Sequence, residues 1–244
     1  MSTCLPRTLE LEKKEFYVIG VDEAGRGPLC GPVVAGACVY MSAKVEENVQ
    51  GITDSKQIGE SERERLYNEI VKNKNFIYGV KEVDNQRIDE INILQATFEA
   101  MTGAVDHCIS KLPVGIKNIH VLIDGPKVPP QLASRFPCTP VVRGDGREFI
   151  IAAASIIAKV TRDVLMMEMH NKFPMYNLAQ HKGYPTAQHM HLVRVHGPCI
   201  FHRMTFAPLK HRPDTQKRKA PEELCGLVKT VDGLRRSARL KSRQ

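Results

Sequence analysis

The sequence predicts an α/β fold, a mixed sheet flanked by helices, on three observations. Short β-rich apolar runs alternate with longer stretches of helical periodicity. Three of those runs end in carboxylates. The positive charge is gathered at one end of the chain, leaving an ordinary apolar and charged balance elsewhere.

The elements follow in order. "FYVIGV" (16–21) and "PVVAGACVY" (32–40) read as an antiparallel pair joined by a Gly/Pro loop. Residues 51–74 give a turn and then a helix whose stripe is Leu66, Ile70 and Val71. "FIYGVKEV" (76–83) is a third strand. Residues 84–112 form one long helix with Ile91, Leu94, Phe98, Met101 and Val105 spaced by three and four. "NIHVLIDG" (118–125) and "CTPVVRGDG" (138–146) are strands that each run into Asp-Gly. Residues 147–173 are an apolar helix buried on most sides, with Met166, Met167 and Met169 as core filling. Beyond Pro174 come a short helix (186–196) and the run "FHRMTFAP" (201–208). One folded unit, 1–208, with a helical part from about 170, precedes a basic, flexible tail, 209–244.

Composition excludes several classes. No apolar run is long enough to cross a bilayer, and the acid-bearing start "MSTCLPRTLELEKKEF" is no signal peptide. Seven cysteines without a CxxC pair imply free thiols in a reducing compartment, hence a cytoplasmic protein. Of the net charge of +8, the tail carries +7, from 11 Lys and Arg against four acids. Such a tail can hold polyanions non-specifically by releasing counterions, or it is simply a solvated extension.

Asp22, Glu23, Asp124 and Asp145 stand at strand ends, where ligand sites collect in open α/β sheets. Gathered carboxylates repel unless divalent cations neutralise them, and all-oxygen ligation selects Mg²⁺ or Mn²⁺ over zinc. Two such ions could activate a water and stabilise the leaving oxygen of a phosphodiester. Adjacent strand residues point to opposite faces, so Asp22 and Glu23 share a metal only where the strand is ending. Asp163 is a rival acid. Lys159 and Ser155 precede it by four and eight residues on the same helix face, and a Lys159–Asp163 ion pair places both outside the metal ligands, as supporting residues.

The loop Gly25-Arg26-Gly27 is neither GxGxxG nor a P-loop. Its glycines let a nucleic acid approach the backbone, and Arg26 adds charge. Six of nine histidines fall between His170 and His202, but no cysteine pair or regular spacing supports zinc. His181, His189 and His202 are candidates to face nucleic acid, with Lys182, Arg194 and Arg203 on phosphates.

Taken together, "DEAGRGPLCGPVVAGA", "TDSKQI", "IDEINILQATFEAM", "LIDG", "VVRGDG", "AAASIIAKVTRD", "HKGYPT" and "GPCIFHRMTFAP" resemble type 2 ribonuclease H, the ribonuclease HII family, from Val18 to Pro208. The resemblance implies a ribonuclease H-like mixed sheet flanked by helices, with a helical C-terminal part. It implies endonucleolytic hydrolysis of RNA in RNA–DNA hybrids and at single ribonucleotides in duplex DNA. The cut falls 5′ of the ribonucleotide and leaves a 3′-hydroxyl and a 5′-phosphate, in ribonucleotide and primer removal. By the same resemblance Asp22, Glu23, Asp124 and Asp145 hold the Mn²⁺ or Mg²⁺ ions, and Gly25, Arg26 and Gly27 read the 2′-hydroxyl. Tyr184 stacks at the RNA–DNA junction, and Ser55 and Lys56 contact phosphate. Cys30 (usually Ala), Gly146 (often Ser) and Thr205 (often Ser) depart from the common pattern. The resemblance is to single-chain bacterial enzymes, acting as monomers. A non-catalytic nucleic-acid binder and a DNA-junction nuclease of the same fold are the alternatives. Four intact acids speak against the first, and the glycine–arginine–glycine turn with Tyr184 against the second.

Overall fold

The computed structural model describes residues 8, 11, 16–41, 52 and 58–211. Ser55, Lys56 and residues 212–244 lie outside the described residues. Five strands form one sheet in the order β3-β2-β1-β4-β5. They are β1 (Tyr17–Ala24), β2 (Val33–Tyr40), β3 (Phe76–Val83), β4 (Ile119–Asp124) and β5 (Cys138–Val141). The expected antiparallel pair is present, in a register from Ile19↔Val39 to Ala24↔Val34. β3 adds antiparallel to β2, whereas β4 lies parallel to β1 and β5 parallel to β4. The sheet is therefore mixed, as the alternation of elements predicts.

The described residues hold six α-helices: α1 (Glu60–Lys72), α2 (Asn85–Ile109), α3 (Pro130–Ala133), α4 (Phe149–Lys172), α5 (Leu178–His181) and α6 (Ala187–His196). Strand alternation divides the core into two layers. Ile19 and Val21 of β1 face Ala100 and Ala104 of α2. Val18 faces the other way, into a layer with Ile150 and Ile151 of α4 and with Leu66 and Ile70 of α1. The apolar helix α4 can lie directly on the strands because glycines leave room there. A Cβ on Gly36 would sit 2.4 Å from the Ala154 carbonyl oxygen, and one on Gly20 would sit 2.4 Å from the Ile150 backbone.

Three expectations need correction. Val71 is exposed, because it lies about 140° around α1 from Leu66 and off the buried stripe. Met166 is buried but Met167 is exposed, so the methionines are not one core cluster. The long helix is kinked at Asn92, whose φ of 69° leaves the helical region. The Asn92 side chain accepts from the amides of Leu94 and Gln95 and so caps the second segment, which hydrophobic spacing alone does not reveal.

After α4 the chain builds a third small core from Met166, Phe173, Tyr176, Val193 and Cys199, with Cys30 reaching in from the β1–β2 loop. Leu209 is buried in it and opens a short 3₁₀ turn, Leu209–His211. No helix among the described residues is long and apolar enough to cross a membrane.

Gly36→Ala tests the contact between β2 and α4. The added methyl must push a helix carbonyl away, and overpacking of this kind costs about 1–3 kcal/mol. The expected result is a fall of that size in unfolding free energy by urea titration, with the m-value retained.

Candidate active site

β1 and β4 run parallel and are paired up to Val21↔Ile123, so the next residues in register are Asp22 and Asp124. Two carboxylates are thus brought side by side where β4 ends. Asp22 is buried, and its Oδ1 accepts from the Glu23 amide at 2.7 Å. Ser155 of α4 also bonds the Asp22 carboxyl, but Oδ2 is buried with no hydrogen-bond partner. Burial, then the charges of Glu23 and Asp124, raise the Asp22 carboxyl well above the usual carboxylate range. β1 continues to Ala24, so Asp22 and Glu23 occupy adjacent strand positions. Asp22 faces α4 and Glu23 the opposite side, where Arg26 Nη1 meets Glu23 Oε1 at 3.3 Å.

β5 ends earlier than its sequence suggests, at Val141, and a 3₁₀ turn (Gly144–Gly146) carries the next acid. Arg143 enters this turn with φ 55°, and the Gly144 amide donates to Asp124 Oδ1 at 2.7 Å. Asp145 is buried immediately after that amide. The hydrogen bond ties the Asp145 turn to the Asp22–Asp124 pair. An unpartnered oxygen on a buried carboxylate beside other acids suits a hard divalent cation, so this donor set fits Mg²⁺ or Mn²⁺.

Directly after Ala24 the backbone turns through Gly25, whose φ of 95° favours glycine and where a Cβ would meet Arg162 Nε at 2.1 Å. Two buried arginines hold this loop by its carbonyls. Arg203 donates to Gly25 O (2.6 Å), Arg26 O (3.0 Å) and Gly31 O (2.9 Å). Arg162 donates to Pro32 O, Cys30 O and Lys182 O at 3.0–3.2 Å. With its carbonyls turned onto guanidinium groups, the loop has amide N–H groups left to offer a ligand. Burial pushes the Arg203 guanidinium down to about 9, with the Arg162 charge adding to the shift. Tyr184 completes this side. A Cβ on Gly27 would lie 3.6 Å from Tyr184 Cε1, Arg162 lies 6.0 Å from the ring, and the ring is 44% exposed.

The arrangement has relatives. A family model described as "Ribonuclease HII" matches residues 19–209. The chain belongs to the ribonuclease HII family. A ribonuclease HII of Chlamydia caviae is 43% identical over 202 residues, covering 82% of this chain and 89% of the relative. Another, from Bacillus cereus, is 45% identical over 199 residues, covering 82% and 72%. The crystal structure of ribonuclease H2 from Pyrococcus horikoshii OT3 superposes with a TM-score of 0.62 at 28% identity, covering 80% of this chain and 96% of the other. Membership makes the protein a ribonuclease H-type endonuclease, and the mixed sheet flanked by helices is the family's fold.

Against that family fold, several sequence-derived roles change. His189 and His202 are fully buried and His181 nearly so, so none of them faces a nucleic acid. Inside the C-terminal core His189 is hydrogen-bonded to His202 and stacked on His181 at 4.3 Å. Arg203 is buried and occupied by loop carbonyls, and is therefore no phosphate contact. The Lys159–Asp163 pair forms as expected, with Nζ–Oδ distances of 2.5 and 2.7 Å. Ser155, which reaches Asp22, lies about 12 Å of helix rise before Asp163. Among the described residues, the one set of three ligand atoms within 4.8 Å of one another is Cys30, Cys199 and His202, whose cysteines are 169 positions apart in the chain. Sequence reading missed Arg162 and Arg203 as loop holders.

Arg203→Met preserves bulk but orphans three loop carbonyls. Each unsatisfied buried carbonyl costs about 1–3 kcal/mol, so the variant should lose about 3 kcal/mol or more in chemical denaturation. A loss under about 1 kcal/mol would show that the loop holds itself.

Proposed function

We propose that this ribonuclease HII cleaves RNA in RNA–DNA hybrids and at single ribonucleotides embedded in duplex DNA, 5′ of the ribonucleotide, leaving a 3′-hydroxyl and a 5′-phosphate. Ribonucleotide removal and RNA primer removal are the matching roles. The observation that carries the reading is the juxtaposition at the end of β1. A buried carboxylate with an unpartnered oxygen is followed at once by a loop whose carbonyls are pinned inward.

Asp22, Asp124 and Asp145 would hold two Mn²⁺ or Mg²⁺ ions, with Glu23 contributing from the opposite face of β1 close to the strand's end. The ions supply an activated water and charge stabilisation at the phosphodiester. The chain's own residues do the rest. The Gly144 amide orients Asp124, and Ser155 orients Asp22. Gly25 and Gly27 let backbone amides reach a 2′-hydroxyl, and Arg26, largely exposed, offers charge to the adjoining phosphate. Tyr184, beside Gly27, presents a ring face on which a deoxyribose stacks at the junction. Lys159 and Asp163 support α4 at a distance. Ser55 and Lys56 remain proposed phosphate contacts, and the basic tail a proposed non-specific anchor. A pure binder gains nothing from a buried acid that repels phosphate, which favours the enzyme.

Three measurements test this reading. A duplex containing one ribonucleotide should be cut at its 5′ side with Mn²⁺ or Mg²⁺ and not after chelation. Asp124→Asn should keep the fold yet lose about two to three decades of turnover, since one ligand charge is gone. Near-normal activity in this variant would remove Asp124 from the site. Tyr184→Ala should lose roughly ten- to a hundredfold on the single ribonucleotide and less on an all-RNA strand. Equal losses would make the tyrosine a packing residue.

The raised Asp22 carboxyl also predicts a pH dependence. A folded-state pKa above the unfolded one contributes stability at low pH that is lost as pH rises through the folded value. The metal-free protein should therefore lose stability from the ordinary carboxylate range upward. Mn²⁺ should raise the melting temperature more at pH 8 than at pH 5. Asp22→Asn should raise the metal-free melting temperature and abolish the Mn²⁺ shift. A metal-induced shift independent of pH and of Asp22 would refute the assignment.

A further inference from the structure

Cys30 leaves the loop that carries Gly25-Arg26-Gly27, and Cys199 lies on the segment that carries Arg203. Both thiols are fully buried, and their sulfurs lie within 4.8 Å of each other. Backbone pairing between Cys30 and His202 holds the two segments in register. We propose that Cys30 and Cys199 are a redox-modification site, oxidised by a hydroperoxide to a disulfide that displaces the glycine loop and switches substrate recognition off.

The surroundings favour thiol chemistry. His202 Nδ1 lies 3.1 Å from Cys199 Sγ, where a base that takes the thiol proton stands. Arg162 donates to the Cys30 carbonyl, and Arg203, from the C-terminal segment, donates to the neighbouring Gly31 carbonyl, so cations flank the pair. The hydrogen bond from the Cys30 thiol, then His202, hold Cys199 well below the usual thiol range, while burial raises Cys30. One sulfur is thus set up as the nucleophile and its neighbour as the resolving thiol.

The hydrogen-bond pattern speaks against a metal in the same place. His189 Nδ1 faces the Tyr184 carbonyl at 3.0 Å and must carry the proton. Its Nε2 then accepts from His202 Nε2 at 3.2 Å, which leaves Nδ1 of a neutral His202 as an acceptor. That lone pair is shared by the Cys199 amide at 3.0 Å and the Cys199 thiol at 3.1 Å. A cation would have to displace these bonds.

The chemistry balances with hydrogen peroxide. Cys199 Sγ attacks one peroxide oxygen, the O–O bond breaks, and the departing hydroxide takes up the proton that Cys199 released. Cys30 Sγ then attacks the sulfenic sulfur. The S–S bond forms, the S–O bond breaks, and hydroxyl leaves with the Cys30 proton. Two thiols lose two electrons, and peroxide becomes two waters. The S–S bond is about 2.05 Å long, so the two sulfurs must approach, through rotation of the thiols and, in this proposal, a shift of the Cys30 backbone. Gly183 is packed on Cys30, where an added Cβ would meet the Cys30 carbonyl at 2.6 Å. The movement is therefore passed to Tyr184 as well as to the glycine loop.

The test uses the full chain. Reduced protein is treated with hydrogen peroxide, remaining thiols are blocked under denaturing conditions, and linked peptides are identified by mass. Cleavage of the single-ribonucleotide duplex is measured before and after dithiothreitol, and duplex affinity is measured in parallel so that the result does not hang on the proposed activity. A Cys30–Cys199 peptide should appear, with activity and affinity down roughly tenfold or more and restored by the reductant. Cys30→Ala and Cys199→Ser should each stay active and resist peroxide. The proposal is overturned by absence of the linked peptide, by its formation without any change in affinity, by peroxide sensitivity persisting in Cys30→Ala, or by stoichiometric zinc retained on the two thiols.

Discussion

Two guanidinium groups buried among backbone carbonyls set the shape of everything around the site. Arg162 arrives from the long helix α4 and Arg203 from the C-terminal segment, and both converge on the loop after β1. Buried cations are tolerated only when their donors are satisfied, and here six carbonyl bonds do that. The loop cannot relax without orphaning them. Its conformation is therefore over-determined by tertiary contacts, which a loop of glycines otherwise lacks.

The acids answer to a different constraint. Parallel pairing of β1 with β4 places Asp22 and Asp124 next to each other, where their charges oppose folding. The fold accepts this cost at one strand end and compensates it with packed layers on both faces of the sheet. A raised carboxyl with an unused oxygen is chemically suited to a hard cation, as proposed above. The loop begins at Gly25, three residues after Asp22, so the proposed recognition loop lies beside the acids.

The C-terminal core joins these parts. Tyr184 is held from beneath by His189, which is hydrogen-bonded to His202, which in turn touches Cys199. His189 and His202 are structural connectors, and with His181 they belong to a buried polar network rather than a phosphate-binding face. The same network brings together thiols that have no sequence proximity.

Local patterns determined much of this protein. Alternating and helical periodicities located the five strands and the long helices, because each element needs one apolar face regardless of its partners. The carboxylates at the ends of β1 and β4 and the Gly25-Arg26-Gly27 turn were legible for the same reason, as residues costly to their local structure, whereas Asp145 stands on a 3₁₀ turn beyond the end of β5. Ordered motifs covering most of the chain carried the family resemblance. Tertiary structure alone decided which groups meet. Neither the kink at Asn92 nor the exposure of Val71 and Met167 followed from the spacing of apolar residues. The burial of His189, His202 and Arg203 depends on what the chain lays over them, and the sequence marks them only as polar. The Cys30–Cys199 pairing depends on a bridge between segments far apart in the chain. Sequence periodicity reports the needs of one element at a time, whereas hydrogen-bond partners and burial are properties of the packed whole.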